Sequence, residues 1–445
     1  MSERNIAIIG AGYVGLVAAA CFAKKHNVVC VDIDEGKVEL INNAKAPFYE
    51  PGLDELIKSG IKSGKLRATN DINGALESAE FIFISVGTPS KDNGEIDLSY
   101  VKSAAHDIGK ALRKYAVVVQ RSTVVPGTTR NVVKKIIEEQ SGRKAGKDFG
   151  IAFVPEFLRE GNAVHDFMEP DRVVIGADDD RVTDNLLELY RDFYPKMPDS
   201  TLVTMSIESA ELVKYASNLF LATKISFANE VAELAEKIPN VDIVDVMRGV
   251  GLDKRIGPSY LGAGAGFGGS CFPKDLNAIV HFARKIDVPP FITEAVLKRN
   301  RRQIERIVSF VVDQLGKLDD KRIAVLGLSF KPGTSDTRES PALKIINELM
   351  RLGAKDIIAC DPKAVDEAKR VFGESIKYTE DPFEAIKNAD CAVVVTDWDE
   401  FKNISPDDFA GLMRNPLVID GRRIYQPEKF EGKVKLICVG RYIQR

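Results

Sequence analysis

The chain has 445 residues, with 62 Lys and Arg against 65 Asp and Glu and a formal net charge of −3. That near balance provides no basic field for nucleic acid, and no stretch is long and apolar enough to predict a membrane span. With 44% hydrophobic and 29% charged residues, the composition is that of a water-soluble globular protein long enough for two or three domains.

The N-terminus carries the first chemical signal. Residues 5–9 form a short apolar run that predicts a strand, and Gly10-Ala11-Gly12-Tyr13-Val14-Gly15 follows at once. An Ala-rich helical stretch and a second predicted strand, residues 28–33, complete the unit, with Asp32 at the strand's end. In such a turn the first glycine permits the tight bend, the second lets the backbone approach a pyrophosphate, and the third lets helix and strand pack closely. The helix N-terminus presents unpaired N–H groups to that pyrophosphate. Asp32 stands where a carboxylate accepts from a ribose 2′-hydroxyl and repels a 2′-phosphate, so the expected cofactor is NAD rather than NADP.

Two more predicted strands, 81–86 and 116–119, end at Gly87-Thr88-Pro89 and at Arg121-Ser122-Thr123. Ligands of parallel sheets lie beyond the carboxyl ends of the strands, which places Thr88 and Thr123 at the mouth of the cofactor site. The plainer alternative is that both hydroxyls satisfy loop or cap N–H groups. A further strand, 151–154, runs into Pro155-Glu156-Phe157-Leu158-Arg159-Glu160-Gly161. Two carboxylates, Glu156 and Glu160, thus follow a strand on this same side of the sheet, with a solvated charge pair as the plainer alternative.

Residues 207–237 predict one long helix, broken only by Pro239. Lys214 and Asn218 project from it together at i, i+4, and such a pair can stabilise an oxyanion. An exposed polar stripe is the alternative, and the helix itself offers a dimer seam or a rod between domains. Then comes Gly266-Phe267-Gly268-Gly269-Ser270-Cys271-Phe272-Pro273-Lys274-Asp275. A thiol beside a glycine-rich loop, in a chain that also holds a nicotinamide, points to an aldehyde trapped as a thiohemiacetal, oxidised to a thioester and hydrolysed to an acid. Lys274 can favour the thiolate or hold a phosphate, and Asp275 can hold or deprotonate a water. A buried apolar filler is the alternative for Cys271. The other cysteines, Cys21, Cys30, Cys360, Cys391 and Cys438, are scattered without a CxxC pair, and the four histidines are far apart. Reduced thiols in a cytoplasm are therefore expected, with neither a disulfide framework nor a metal cluster. A first strand so close to Met1 leaves no room for a signal peptide.

The last third repeats the strand, loop, helix, strand order, with predicted strands at 322–330, 357–362, 392–396 and 417–420, but without the GxGxxG. It predicts a second nucleotide-binding domain for a different nucleotide. Lys331, Arg338, Arg422 and Arg423 are its candidate phosphate or base contacts.

The motifs GAGYVG, STVVPGTT, PEFLREG, ELVKYASNLFLA, GFGGSCFPKD, SFKPGTSDTRESPA and DGRR run nearly end to end, from Gly10 to Arg423. The chain thereby resembles the UDP-glucose/GDP-mannose dehydrogenase family, in particular its UDP-glucose branch. The resemblance implies an α/β fold of two Rossmann-like doubly wound domains joined by a long central helix. Residues 1–200 would bind NAD, 201–300 would form a helical dimerisation region carrying catalytic residues, and 315–445 would bind the UDP-sugar. It implies a cytoplasmic homodimer or higher homo-oligomer, with no nucleic acid or membrane partner. The implied reaction is the four-electron oxidation of the C6 alcohol of UDP-glucose to UDP-glucuronate.

The resemblance also implies roles for matching positions. Cys271 would be the nucleophile, Lys214 and Asn218 would hold the oxyanion, and Thr123, Glu156 and Asp275 would hold water and move protons. Lys37, Glu160, Lys274 and Arg338 would join Gly10, Gly12, Tyr13, Val14, Gly15, Asp32, Thr88 and Thr123 at the cofactor. Glu156, Phe157, Leu158, Arg159, Lys214, Asn218, Tyr260, Leu261, Gly268, Phe330, Lys331 and Arg422 would contact the sugar nucleotide, with Arg423 at its nucleotide end. Arg255 would reach the neighbouring subunit's substrate. Two positions depart from the pattern: Val154 stands where many relatives carry Asn, and Arg121 where they often carry Lys. GDP-mannose dehydrogenases share the GGSC core, whereas the UDP-N-acetylhexosamine branch usually has His where this chain has Ser270. An inactive sugar-nucleotide sensor is the alternative of a different class, and the joint presence of Cys271, Lys214, Asn218, Asp275 and Glu156 argues against it.

Overall fold

The computed structural model describes residues 3–442 and divides them into two compact units. The first runs to Ser217 and takes in Asn277–Phe282; the second holds Asn218–Leu276 and the described residues from Ala283 onward.

Eight strands build the first unit's sheet: β1 (Asn5–Ile9), β2 (Asn27–Val31), β3 (Leu66–Thr69), β4 (Phe81–Ile84), β5 (Val117–Gln120), β6 (Gly150–Phe153), β7 (Val173–Gly176) and β8 (Leu202–Met205). Their order is β3-β2-β1-β4-β5-β6-β7-β8, and every pairing is parallel except β6 with β7. The chain reverses direction across the sheet between β1 and β4, the switch point at which such folds bind ligands. Central strands such as Phe81-Ile82-Phe83-Ile84 are buried at every position, because helices cover both faces. Alternate residues divide between those faces: Ile6 and Ile8 join one core with the Ala-rich helix Tyr13–Phe22, and Ala7 and Ile9 join the other.

The second unit carries β9 (Arg322–Leu326), β10 (Asp356–Cys360), β11 (Lys377–Thr379), β12 (Cys391–Val394), β13 (Leu417–Asp420) and β14 (Lys435–Cys438). They form an all-parallel sheet in the order β11-β10-β9-β12-β13-β14, with a reversal between β9 and β12. Both Rossmann-like sheets and the long helix are therefore present, the helix as Ile207–Ala235.

Boundaries differ from expectation for local reasons. The second strand stops at Val31 rather than at 33, because Asp32 turns its carboxylate back onto main-chain N–H groups of the loops around it. The strand expected over 322–330 ends at Leu326, since Gly327 takes φ +103° and a Cβ there would lie 2.4 Å from Thr396.

Candidate active site

The glycine turn of the first unit is an open cradle. Gly10 takes φ +106°, and a Cβ on it would lie 2.8 Å from the Ser85 carbonyl oxygen. A Cβ on Gly15 would lie 1.9 Å from the Gly10 carbonyl oxygen, so helix and strand touch there. A Cβ on Gly12 would meet nothing within 4 Å. Gly12 caps the helix Tyr13–Phe22 without any side-chain hydrogen bond, and its open side is where a dinucleotide's pyrophosphate fits.

Asp32 has a structural role beside the expected one. Its Oδ2 accepts the Ala11 N–H at 2.6 Å and its Oδ1 accepts the Asp34 N–H at 2.9 Å, tying the end of β2 to the glycine turn. Each oxygen keeps a further lone pair for a ribose hydroxyl. The Lys37 ammonium stands 3.9 Å from the carboxylates of both Asp32 and Asp34. Glu50 escaped the sequence reading. It is buried, takes the Tyr13 hydroxyl and the N–H groups of Gly161 and Ala163, the latter two at 2.6 Å, and so binds the Glu160-Gly161 segment to the glycine turn.

Past β5 and β6 the first turns of the long helix hold two loops. Lys214 and Glu156 are both buried, and the ammonium donates at 2.7 Å to the Glu156 carbonyl oxygen and at 2.7 Å to its Oε1. Burial works to raise the Glu156 carboxyl, but Lys214 and the Leu158 N–H outweigh it and hold the group below the usual carboxylate range. Phe157 lies under the Arg172 guanidinium at 3.8 Å, with the Lys214 ammonium 5.6 Å from the same ring. Arg159 is exposed and paired with Asp166 at 2.6 Å. Thr88 and Thr123 are buried in the segments that follow β4 and β5. Ser122 fixes the loop before Thr123 by donating to the Val86 carbonyl at 2.6 Å.

Glu211, also unforeseen, fixes the loop after Thr123. Its carboxylate accepts the Gly127 N–H at 2.5 Å and the Thr129 N–H at 2.8 Å. Burial pushes its pKa from 4.5 up to about 7, against the opposing pull of those hydrogen bonds. The native state therefore binds a proton that the unfolded chain has lost, and stability falls as pH rises from 4.5 to about 7. Glu211→Gln removes that slope. Urea titrations at pH 5 and pH 8 should show the variant gaining on the parent by about 3 kcal/mol across that window; parallel pH profiles would contradict the assignment.

In the second unit Cys271 immediately precedes the helix Phe272–Lys285 and is partly exposed, whereas the other five cysteines are buried. The Ser270 hydroxyl lies 3.6 Å from its Sγ. Asp275, one turn along, is buried and held at both oxygens, by the Lys274 ammonium at 2.6 Å and by the Asn218 amide at 2.6 Å. A Cβ on Gly268 would lie 2.4 Å from the Glu339 carbonyl oxygen, and one on Gly269 would lie 2.8 Å from the Phe330 ring, so the glycine loop packs on the 330–339 segment. Tyr260 takes φ +63°, and its ring lies 6.4 Å from that of Phe272.

The nucleotide candidates separate. The Lys331 ammonium lies 5.5 Å from the Phe330 ring. Arg422 donates to the carbonyls of Val395, Gly266 and Phe330, which converge from three segments. Arg338 is exposed and paired with Asp336 at 2.6 Å, and Arg255 is exposed and paired with Asp253 at 2.6 Å. Two further candidates have their side chains engaged within the second unit. The Arg423 guanidinium is buried, paired with Asp242 at 2.7 Å and bonded to the Val439 carbonyl at 3.2 Å, which ties its segment to those two residues. The Leu261 side chain lies in the core, which leaves only its main chain for a ligand.

Family models match in chain order: the NAD binding domain of the UDP-glucose/GDP-mannose dehydrogenase family over residues 4–194, its central domain over 208–302 and its UDP binding domain over 324–427. The chain belongs to that family. It is 45% identical over 424 residues to the UDP-glucose 6-dehydrogenase AglM of Haloferax volcanii, covering 94% of this chain and 97% of the relative. A UDP-glucose dehydrogenase from the archaeon Pyrobaculum islandicum superposes with a TM-score of 0.91 at 38% identity, covering 99% of this chain and 98% of that one. A UDP-D-ManNAc dehydrogenase from Pyrococcus horikoshii gives 0.86 at 28% identity, covering 98% and 99%.

The family models name a different ligand for each domain, and one residue distinguishes the two sheets. Asp361 directly follows β10 as Asp32 directly follows β2, but it is fully buried. Its Oδ2 accepts the N–H groups of Leu328 and Ser329 at 2.7 and 3.0 Å and the Trp398 indole N–H at 3.1 Å. Its Oδ1 accepts the N–H groups of Lys363 and Ala364 at 2.9 Å each. The turn after β9 is closed onto this carboxylate, where the turn after β1 is open. The second unit therefore does not repeat the first unit's open glycine cradle. No described helix is long and apolar enough to cross a membrane.

Proposed function

We propose that the protein oxidises the C6 primary alcohol of UDP-glucose to the carboxylate of UDP-glucuronate, with NAD as cofactor and Cys271 as nucleophile. One observation carries the reading: the single thiol that is not buried stands at the head of a helix whose Asp275 is held by Lys274 and Asn218. NAD, when bound, supplies the hydride acceptor for both oxidations. The first oxidation leaves an aldehyde. The Cys271 thiolate adds to its carbon, forming a C–S bond and an alkoxide that Lys214 and Asn218 stabilise with N–H donors. Loss of a second hydride gives the thioester. Water then adds to the thioester carbon, the C–S bond breaks, and the acid and the free thiol are released. Asp275, Glu156 and Thr123 hold that water and take up its proton.

Phe157, Leu158, Arg159, Tyr260, Leu261 through its main chain, Gly268, Phe330, Lys331 and Arg422 are proposed to bind the sugar nucleotide. Glu160, Lys274 and Arg338 are proposed to lie at the cofactor. We also propose a homodimer. Phe220, Phe227 and Leu234 share one face of the long helix at seven-residue spacing, yet are 65%, 50% and 60% exposed. Arg255, exposed on its own unit, is the proposed contact to a partner's substrate.

UDP-glucose is favoured over other sugar nucleotides by the relatives: the UDP-glucose dehydrogenase is closer in sequence and in fold than the UDP-D-ManNAc dehydrogenase. NADH formation with UDP-glucose, GDP-mannose and UDP-N-acetylglucosamine, each at equal concentration, tests the choice. UDP-glucose should exceed the others by about 10-fold or more, which needs only ~1.4 kcal/mol of discrimination. A higher rate with either rival would reassign the substrate, and no NADH from any of them would favour the sensor.

A further inference from the structure

The loop that delivers Cys271 is intrinsically loose. Residues 262–269 read Gly-Ala-Gly-Ala-Gly-Phe-Gly-Gly, and Gly266 and Gly269 take φ of +98° and +84°. Glycine has the most conformational freedom to lose on folding, so a segment of this composition needs outside contacts to select one conformation. Those contacts come from side chains of the same unit. Asn229 Oδ1 accepts the Gly264 N–H at 2.8 Å, and Gln303 Nε2 donates to the Gly264 carbonyl at 2.7 Å. Asn300, on the helix Phe291–Leu315, goes further. Its Oδ1 accepts the Phe267 N–H at 2.9 Å and its Nδ2 donates to the Phe267 carbonyl at 2.9 Å. One amide thus satisfies both main-chain groups of Phe267, one of the two residues between the left-handed glycines. A Cβ on Gly266 would lie 2.5 Å from Asn300 Oδ1, so the backbone passes directly against that amide. The Phe267 side chain is buried with Ala222, Leu276 and Val296, and its ring meets Phe272, the residue after Cys271, edge-on at 5.9 Å.

We propose that Asn300 is a positioning residue for the Cys271 thiol, and that its two-point hold on Phe267 is what allows the aldehyde of the first oxidation to be captured before it leaves. The inference rests on the functional reading above. Capture forms the C–S bond, and the carbonyl π pair becomes an alkoxide that takes up a proton. Escape leaves the carbonyl intact and ends the reaction after one hydride. A purely structural residue would lower stability without altering this partition.

Asn300→Ala should lower turnover by about 10²-fold, the scale on which small misplacements of a reacting group act. It should also raise the ratio of NADH to UDP-glucuronate above two, with free aldehyde recovered by a hydrazine trap. Asn300→Asp keeps the acceptor and loses the donor, so it should lie between Ala and the parent. The dissociation constant for NAD, whose cradle lies in the other unit, should stay within about twofold. Iodoacetamide supplies a readout independent of substrate, since Cys271 is the one cysteine that is not buried. Its alkylation rate should change by threefold or more in Asn300→Ala while the other five thiols stay unmodified. A folded Asn300→Ala with turnover within threefold of the parent, a ratio of two and an unchanged alkylation rate overturns the inference. If the parent makes no NADH from UDP-glucose, the functional reading fails, and the alkylation rate alone then decides whether Asn300 places the thiol.

Discussion

Cys271→Ser should fold, bind NAD and produce almost no UDP-glucuronate. The side chains are nearly isosteric, and the thiol is partly exposed, so little packing is lost. The chemistry changes far more. A thiolate is a strong nucleophile at neutral pH and a thioester hydrolyses readily, whereas a serine hydroxyl needs a dedicated base to attack. Steady-state turnover should fall by roughly 10³-fold or more, the scale on which removal of a nucleophile acts. Any ester that does form on the introduced serine should hydrolyse slowly and add the mass of the sugar nucleotide to the intact protein. Steady-state NADH formation within tenfold of the parent, with folding confirmed, rejects the covalent mechanism.

The second large effect should come from Lys214, because its loss removes both the proposed oxyanion donor and half of a buried ion pair. Lys214→Met leaves Glu156 buried without its cation. Breaking one side of such a pair costs about 3–5 kcal/mol, and losing one oxyanion donor costs about 10²–10³-fold in turnover. The two losses can be separated. Glu156 is held below the usual carboxylate range, so its contribution to stability is present at neutral pH and is lost as pH falls through the folded value. The double variant Lys214→Met with Glu156→Gln should recover much of the stability, by removing the stranded charge, and none of the activity. Chemical denaturation at pH 7 and turnover measured side by side check this. A Lys214→Met protein as stable as the parent and within threefold of its turnover would show that the pair is incidental.

What the sequence discloses about this site follows from what kind of partner each residue has. Cys271, Asp275, Lys214 and Asn218 stand out in the sequence because they lie at helical spacing or beside a glycine loop, but the partners Glu156 and Asp275 that the structure gives to Lys214 and Asn218 lie far away in the chain. Asp32 is half legible: strand and turn periodicity locate it, but its bond to the Ala11 N–H depends on how the turn closes. Glu50, Glu211 and Asn300 are not legible, because each satisfies main-chain groups distant in the chain. Main-chain N–H and carbonyl groups exist at almost every residue, so no sequence pattern marks those that will be used. Arg422 and Arg423 show the same limit. They are neighbours in one motif, yet one reaches three carbonyls around the Cys271 loop and the other pairs with Asp242. The sheets were read from apolar runs, which identify buried central strands such as β4. They miss short strands such as β8, where two of four residues face solvent.

Carrying an alcohol through to an acid on one covalently held intermediate fixes the stoichiometry of the reaction. Counting NADH at the endpoint tests it most directly, with UDP-glucose limiting and NAD in excess. Removing four electrons in two hydride steps predicts two NADH for each UDP-glucose consumed, with UDP-glucuronate recovered in the same amount as the sugar nucleotide lost. One NADH per sugar with free aldehyde accumulating would contradict the account.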